Sequence, residues 1–127
     1  MTTAEETGLK PLEWIGSSLK DLREFPAEVK RDMGSALLLA QKGGKAEAAK
    51  PLQGFGGAGV LEVVEDHRGD TFRAIYTVRF VTVVYVLHAF QKKSKRGKET
   101  PKVDMDMIRR RLALAEALHR EKLKETT

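Results

Sequence analysis

Thr71-Phe72-Arg73-Ala74-Ile75-Tyr76-Thr77-Val78 decides the fold. Phe72, Ala74, Tyr76 and Val78 fall on one side of an extended chain, and Arg73, Ile75 and Thr77 on the other. This predicts a strand with an apolar face and a mixed face that carries one arginine. Upstream, Val60 to Glu65 is β-branched and predicts a second strand, joined through the turn Asp66-His67-Arg68-Gly69-Asp70. Downstream, Thr82 to Phe90 predicts a third, with the reversal placed at Arg79-Phe80-Val81, since one strand of twenty residues would be unusual. Three sequential strands with short turns make an antiparallel meander.

Helices flank the meander. Leu12, Ile15, Leu19 and Leu22 recur at spacings of three and four, which predicts a helix over Pro11–Glu24. Phe25-Pro26 ends it, because a residue before proline avoids the α region. Pro26 opens a second helix, with Val29, Met33, Leu37 and Ala40 as its buried stripe and Gly43-Gly44 as its stop. The tight junction predicts an αα-hairpin. Lys45 to Gly59 reads as a linker; its glycines lack the Lys-Ser/Thr and the preceding strand of a phosphate loop. Thr100-Pro101 is a helix start, and the helix runs to about Lys122. Val103, Met107, Leu114 and Leu118 mark one stripe, and Ile108, Leu112 and Ala115 an adjacent one.

Charge is concentrated. The 127-residue chain carries a formal +5. Between Lys92 and Arg111 stand nine cations and three carboxylates, a local +6, so the remainder is close to neutral. Focused positive charge directly after an apolar strand suits a polyanion-binding surface better than general solubility. The absence of cysteine excludes disulfides and thiolate chemistry. His67, His88 and His119 lack metal-ligand spacing, so no metal or other cofactor is expected. No apolar stretch is long enough to span a membrane, and Met1–Gly8 has no signal-peptide core. The expectation is a cytoplasmic protein with a flexible tail over 1–8 and a single domain over 9–127.

The order helix, helix, three strands, basic loop, helix coincides with particular residues. These are Leu52-Gln53-Gly54-Phe55-Gly56 leading into Val60-Leu61-Glu62-Val63-Val64, then Phe72-Arg73-Ala74-Ile75-Tyr76, then Leu87-His88-Ala89-Phe90-Gln91-Lys92-Lys93 and Thr100-Pro101. From about Leu12 to Leu118 the chain resembles the RelE/HigB superfamily of toxin–antitoxin toxins, in its phage-derived HigB-like branch. The resemblance implies an α+β fold: an N-terminal αα-hairpin on a small twisted antiparallel sheet, a three-strand meander with room for one more short strand, and a C-terminal helix. It also implies a ribosome-dependent endoribonuclease that cuts mRNA without metal. The implied partners are the ribosome, mRNA and a cognate antitoxin, a helix-turn-helix protein encoded next door.

Such cleavage needs a group that takes a proton from the ribose 2′-OH, a cation that stabilises charge on the phosphoryl oxygens, and an acid for the leaving oxygen. Arg73 matches the family's strand arginine and could grip two phosphate oxygens at once; alternatively it pairs with Glu62 or Glu65. Lys92 and Lys93 match the basic pair after the last strand, and strand alternation sends them to opposite faces. His88 is a candidate proton carrier, although alternation places it with Val84, Val86 and Phe90 as a core residue. Tyr76 and Tyr85 read as core aromatics. Lys95, Arg96, Lys98, Arg109, Arg110 and Arg111 are expected to bind RNA backbone. The chain departs from the family at Glu62-Val63-Val64, where members commonly carry Glu-Leu-Arg. No Tyr or His stands at the start of the last helix, where some relatives place a catalytic group. A non-catalytic ribosome-binding relative, or a protein that only docks an acidic antitoxin, therefore stay open beside the nuclease.

Overall fold

A two-residue turn sets the register of the sheet. Arg68 and Gly69 both have positive φ, 51° and 86°, the geometry that matches the twist of a tight hairpin. They join β3 (Val60–His67) to β4 (Asp70–Thr77). Counting back from His67↔Asp70 places Val64 opposite Arg73 and Glu62 opposite Ile75. The architecture comes from a computed structural model that describes residues 8–56, 59–92 and 99–125. Met1–Thr7, the bulk of the expected tail, lie outside the described residues.

Five strands form one mixed sheet in the order β1-β5-β4-β3-β2. The meander β3, β4 and β5 (Val84–Lys92) is its centre. Two short edge strands flank it: β1 (Leu12–Trp14), parallel to β5, and β2 (Ala49–Pro51), antiparallel to β3. The proline in β2 occupies an edge, where a missing N–H is tolerated.

β1 corrects the helix expected over Pro11–Glu24. Val84 N–H donates to Pro11 O and Ile15 N–H to Val86 O, so the chain is spent on β5 before any helix begins. Gly16, at φ 58°, then turns it. What remains is α1 (Ser18–Arg23), followed by α2 (Ala27–Gln41). The expected αα-hairpin is thus a helix of six residues beside one of fifteen. The former lies against β5 and the latter against β3. The expected linker is corrected at Ala49–Pro51, which pairs with Leu61–Val63.

The sheet is covered on both faces. Phe72, Ala74, Tyr76, Val84 and Val86 pack with Leu22, Phe25, Val29 and Met33 of the α1–α2 layer. Ile75, Tyr85 and Leu87 pack with Ile108, Leu112 and Ala115 of α3 (Lys102–Glu125). Each fully buried large aliphatic chain contributes about 1.5–3 kcal/mol, so α3 is held firmly. The other stripe of α3 is open: Val103, Leu114 and Leu118 are exposed.

β5 contains one irregularity with consequences. Tyr76 pairs with Val86 but Ile75 pairs with His88, so Leu87 is an extra residue. A bulge reverses the alternation beyond it. His88 therefore faces α3 with Phe90, and not the side of Val84 and Val86 that strict alternation predicts.

Candidate functional site

The hairpin register and the bulge together put Glu62, Val64, Thr71, Arg73, Phe90 and Lys92 on the α3 face of the sheet. Arg73 is only 5% exposed. A buried guanidinium requires a charge partner and hydrogen bonds, and both are present. Nη1 donates to Glu62 Oε2 and to Thr100 Oγ1, each at 3.2 Å. Glu62 lies diagonally across from Arg73, within cross-strand reach, and Thr100 immediately precedes the proline that starts α3. The arginine thus ties the sheet to the beginning of the last helix. Lys92, also buried, pairs with Thr71, two positions along β4 from Arg73.

Val64 sits directly across from Arg73 and is 38% exposed. The cation that the resemblance leads one to expect would have stood beside Arg73; an apolar side chain stands there instead.

A half-open hollow of about 580 Å³ adjoins this cluster. Lys50, Gln53, Glu62, Glu99, Thr100 and Met105 line it. Arg73 meets the hollow through its two partners, Glu62 and Thr100, which belong to both. Arg109 borders the same region. Its Nη2 would lie 3.6 Å from a Cβ at Gly54, its guanidinium lies 5.7 Å from the Phe55 ring centre, and it pairs with Asp106 at 3.7 Å.

His88 belongs to a second cluster. Nε2 contacts Asp104 Oδ1 at 2.8 Å and Nδ1 contacts Arg111 Nη1 at 3.2 Å. A guanidinium only donates, so Nδ1 accepts and the ring proton is assigned to Nε2, donated to the carboxylate. Arg111 also donates to Leu87 O at 3.0 Å and to Ser17 Oγ at 3.0 Å, and Ser17 donates to Asp21 at 2.7 Å. Burial draws the Arg111 guanidinium down from its usual value; Asp21 opposes that shift and Arg110 adds to it. The chain Asp104–His88–Arg111–Ser17–Asp21 joins α3, the bulge in β5 and the start of α1. Gly16 makes room for it: a Cβ there would come within 2.8 Å of Arg111 Nε.

The candidate residues therefore separate. Arg73 and Lys92 share a face, and Arg109 borders the adjoining hollow. Arg110 is exposed, with Nη2 3.9 Å from Met107 Sδ. Arg111 turns inward to His88. Lys93, Lys95, Arg96 and Lys98 lie outside the described residues. His67 approaches Glu28 at 3.4 Å, His119 meets Tyr85 Oη at 3.1 Å, and Tyr76 and Tyr85 are fully buried. Sequence reasoning missed Thr100 as a ligand of Arg73 and the Asp104–His88–Arg111 triplet. The available signals were Thr100 at the helix cap and Asp104 in the first turn. Among the described residues no group of three or more His, Asp or Glu side chains could hold a metal ion, and no helix is long and apolar enough to cross a membrane.

The profile of the family described as "Phage derived protein Gp49-like (DUF891)" matches residues 20–113. No curated protein matches the chain significantly. Among solved structures, the chain is similar to a mutant of the E. coli toxin RelE in the free state, at 20% identity and a TM-score of 0.49, covering 64% of this chain and 81% of that one. It is also similar to the toxin–antitoxin complex RelBE2 from Mycobacterium tuberculosis, at 18% identity and a TM-score of 0.43, covering 68% and 94%.

Proposed function

The chain belongs to the phage-derived Gp49-like family, and from that premise we propose that it is the toxin of a toxin–antitoxin pair, a ribosome-dependent endoribonuclease that cleaves mRNA and so inhibits translation. The observation that carries the reading is the buried Arg73 beside Glu62 and Thr100, with Lys92 on the same face and a hollow at its edge.

In this mechanism the ribose 2′-OH attacks the adjacent phosphorus and displaces the 5′ oxygen of the next nucleotide, which leaves a 2′,3′-cyclic phosphate and takes its proton from the Lys92 ammonium. Arg73 donates to the phosphoryl oxygens as charge builds there. Its orientation is set before substrate arrives, which is what makes such a donor effective; one donor is worth roughly 10²–10³ in rate. Glu62, at 3.2 Å from that guanidinium, is the nearest carboxylate to accept the 2′ proton. Lys92 assists on the same face. His88, engaged at both nitrogens, positions the bulge in β5 and with it Phe90 and Lys92. Lys93, Lys95, Arg96 and Lys98 contact RNA backbone, joined by the outward-facing Arg109 and Arg110. A cognate antitoxin encoded beside the chain neutralises it.

The second reading, a ribosome-binding relative without chemistry, is favoured by Val64, which leaves Arg73 without a neighbouring cation across the strand. One experiment separates the two. Induction of the wild-type chain without its neighbour arrests growth and shortens ribosome-bound transcripts by primer extension, and Arg73→Ala with Lys92→Ala does neither. Ribosome binding with intact transcripts establishes the second reading. Harmless expression without ribosome binding refutes both.

A further inference from the structure

We propose that the exposed face of α3 is a self-association surface, on which a second copy of this chain docks its own α3 in antiparallel register, with Arg110 against Glu121 of the second copy. The inference goes beyond the nuclease reading, and its test is run without RNA.

Helical geometry sets this face apart. Ile108, Leu112, Ala115 and His119 are the buried side of α3. Met107, Arg110, Leu114, Ala117, Glu121 and Lys124 recur at alternating spacings of three and four, and lie about 160° round the helix from that side. This is the spacing of a seam between two helices. Leu114 is 48% exposed and Leu118, one turn on, 43%. Arg110 lies along Met107, Nη2 at 3.9 Å from Sδ. The seam thus has an apolar centre, Leu114 with Leu118, and a small residue beside it, Ala117, that lets a facing helix come close.

The charges choose the occupant. Along the face Asp106, Arg110, Glu121 and Lys124 read minus, plus, minus, plus. Reversed, the same order reads plus, minus, plus, minus. A second α3, antiparallel about a two-fold axis between Ala115 and Glu116, therefore sets Arg110 against Glu121, Asp106 against Lys124, and Leu114 against Ala117 and Leu118, each contact occurring twice. Parallel pairing would set Arg110 on Arg110 and Glu121 on Glu121. A partner of uniform charge would meet its own sign at half of the charged positions. Within one chain Arg110 and Glu121 are about 16 Å apart along the axis, too far to pair. Asp106 approaches Arg109 at 3.7 Å and Glu121 approaches Lys124 at 3.5 Å, through exposed side chains that can take a second partner. The strip from Asp106 to Lys124 is about 27 Å long and one helix, about 10 Å, wide. That is well short of the roughly 800 Å² a side of a standard interface, so the dimer is a weak one, with a Kd of about 10–100 µM. Arg110, given to RNA backbone in the proposed mechanism, is taken by the second copy here, so the paired and RNA-bound states use it in turn.

The test is sedimentation equilibrium on the full chain, freed of its antitoxin and of RNA, from about 1 to about 500 µM protein at about 50 mM salt, where exposed pairs are little screened. The wild type is expected to pass from monomer to dimer across that range. Arg110→Glu sets carboxylates face to face and is expected to weaken the dimer at least about tenfold. Arg110→Glu with Glu121→Arg restores opposite signs across the seam but creates no pair between these positions within one helix. It is expected to return the Kd to within about fivefold of wild type. Leu114→Asp places a charge at the apolar centre and is expected to leave a monomer throughout. All three positions are exposed, and circular dichroism establishes that each variant is folded before it is weighed. A wild type still monomeric at the highest concentration, an Arg110→Glu dimer of unchanged strength, or a double variant no stronger than Arg110→Glu overturns the proposal. Because no RNA is present, either result leaves the nuclease reading where the transcript assay puts it.

Discussion

Replacing Glu65 by glutamine is expected to stabilise the protein at pH 8 and to leave it nearly unchanged at pH 4.5. Glu65 projects from β3 toward α2, on the face opposite Glu62 and Val64. Burial is the first cause that lifts its carboxyl from 4.5 to about 7; a hydrogen bond to Asp32 and repulsion from Asp32 and Glu28 add to it. His67, two residues on, sits 3.4 Å from Glu28. A raised acid holds its proton more tightly folded than unfolded. Its contribution is therefore fully present below about 4.5, declines as pH rises, and is gone above about 7. At about 1.36 kcal/mol per pH unit the ceiling is about 3.4 kcal/mol. Glu65 is only half-buried, and screening by water reduces the expected gain to about 1–2 kcal/mol. Urea midpoints of wild type and Glu65→Gln, taken at both pH values with equal slopes, measure the difference. A gain equal at both pH values, or a loss at pH 8, refutes the assignment. Because the change lies on the opposite face of the sheet, it should leave ribosome-dependent cleavage intact.

Arg73→Ala is expected to lower single-turnover cleavage of ribosome-bound mRNA by about 10²–10³-fold while ribosome affinity changes little; a matching loss of binding would make Arg73 an anchoring group instead. If Lys95, Arg96, Lys98 and one arginine of α3 contact four phosphates, ribosome binding between about 50 and 200 mM salt should show a log–log slope of roughly −3 to −4. Alanine at the three loop positions should flatten that slope by about 2–3, and an unchanged slope removes those contacts. His88→Ala is expected to reduce stability by about 1–3 kcal/mol, because it strands Asp104 and Arg111. His88→Gln should preserve the limbs of the pH–rate profile, and disappearance of a limb would show that His88 itself carries a proton.

The meander was legible because its information is local. Alternation along Thr71–Val78 assigned the two faces of β4, but the turn expected over Asp66–Asp70 is only Arg68-Gly69, with Asp66, His67 and Asp70 drawn into the strands, and that register sets Val64, and diagonally Glu62, beside Arg73. Pro26, Gly43 and Pro101 marked helix ends by constraints that act within one or two residues. The edges were not legible. Leu12, Ile15, Leu19 and Leu22 satisfy a helical period, yet the partner that claims Leu12–Trp14 is Val84–Val86, some seventy residues later. Three residues of parallel pairing leave almost no periodic trace. The bulge at Leu87 was hidden for a different reason. No glycine marks it, and only the unequal spacing against Ile75 and Tyr76 shows it. That single extra residue moved His88 from the α1–α2 side to the α3 side and changed its role from a core histidine among valines to the middle of a charged chain.

The separation of the cations follows from the same geometry. Arg109, Arg110 and Arg111 are consecutive on a helix, so about 100° divides each from the next. One reaches the Phe55–Gly54 rim, one reaches solvent, and one reaches the β5 bulge. Sequence density of charge therefore overstates the density at any one point. At the Arg73 cluster the guanidinium and Glu62 nearly cancel, and Val64 adds nothing across the strand. In the proposed mechanism the attraction that brings RNA in must then come from outside the cluster, from Arg109 and the basic loop. The buried pair contributes direction instead. A neutral, preoriented donor–acceptor couple is a poor electrostatic trap for a phosphate at rest but a good partner for charge that appears only during reaction. Capture and chemistry are thereby assigned to different residues, which is why the salt series and the Arg73 substitution should act on different constants.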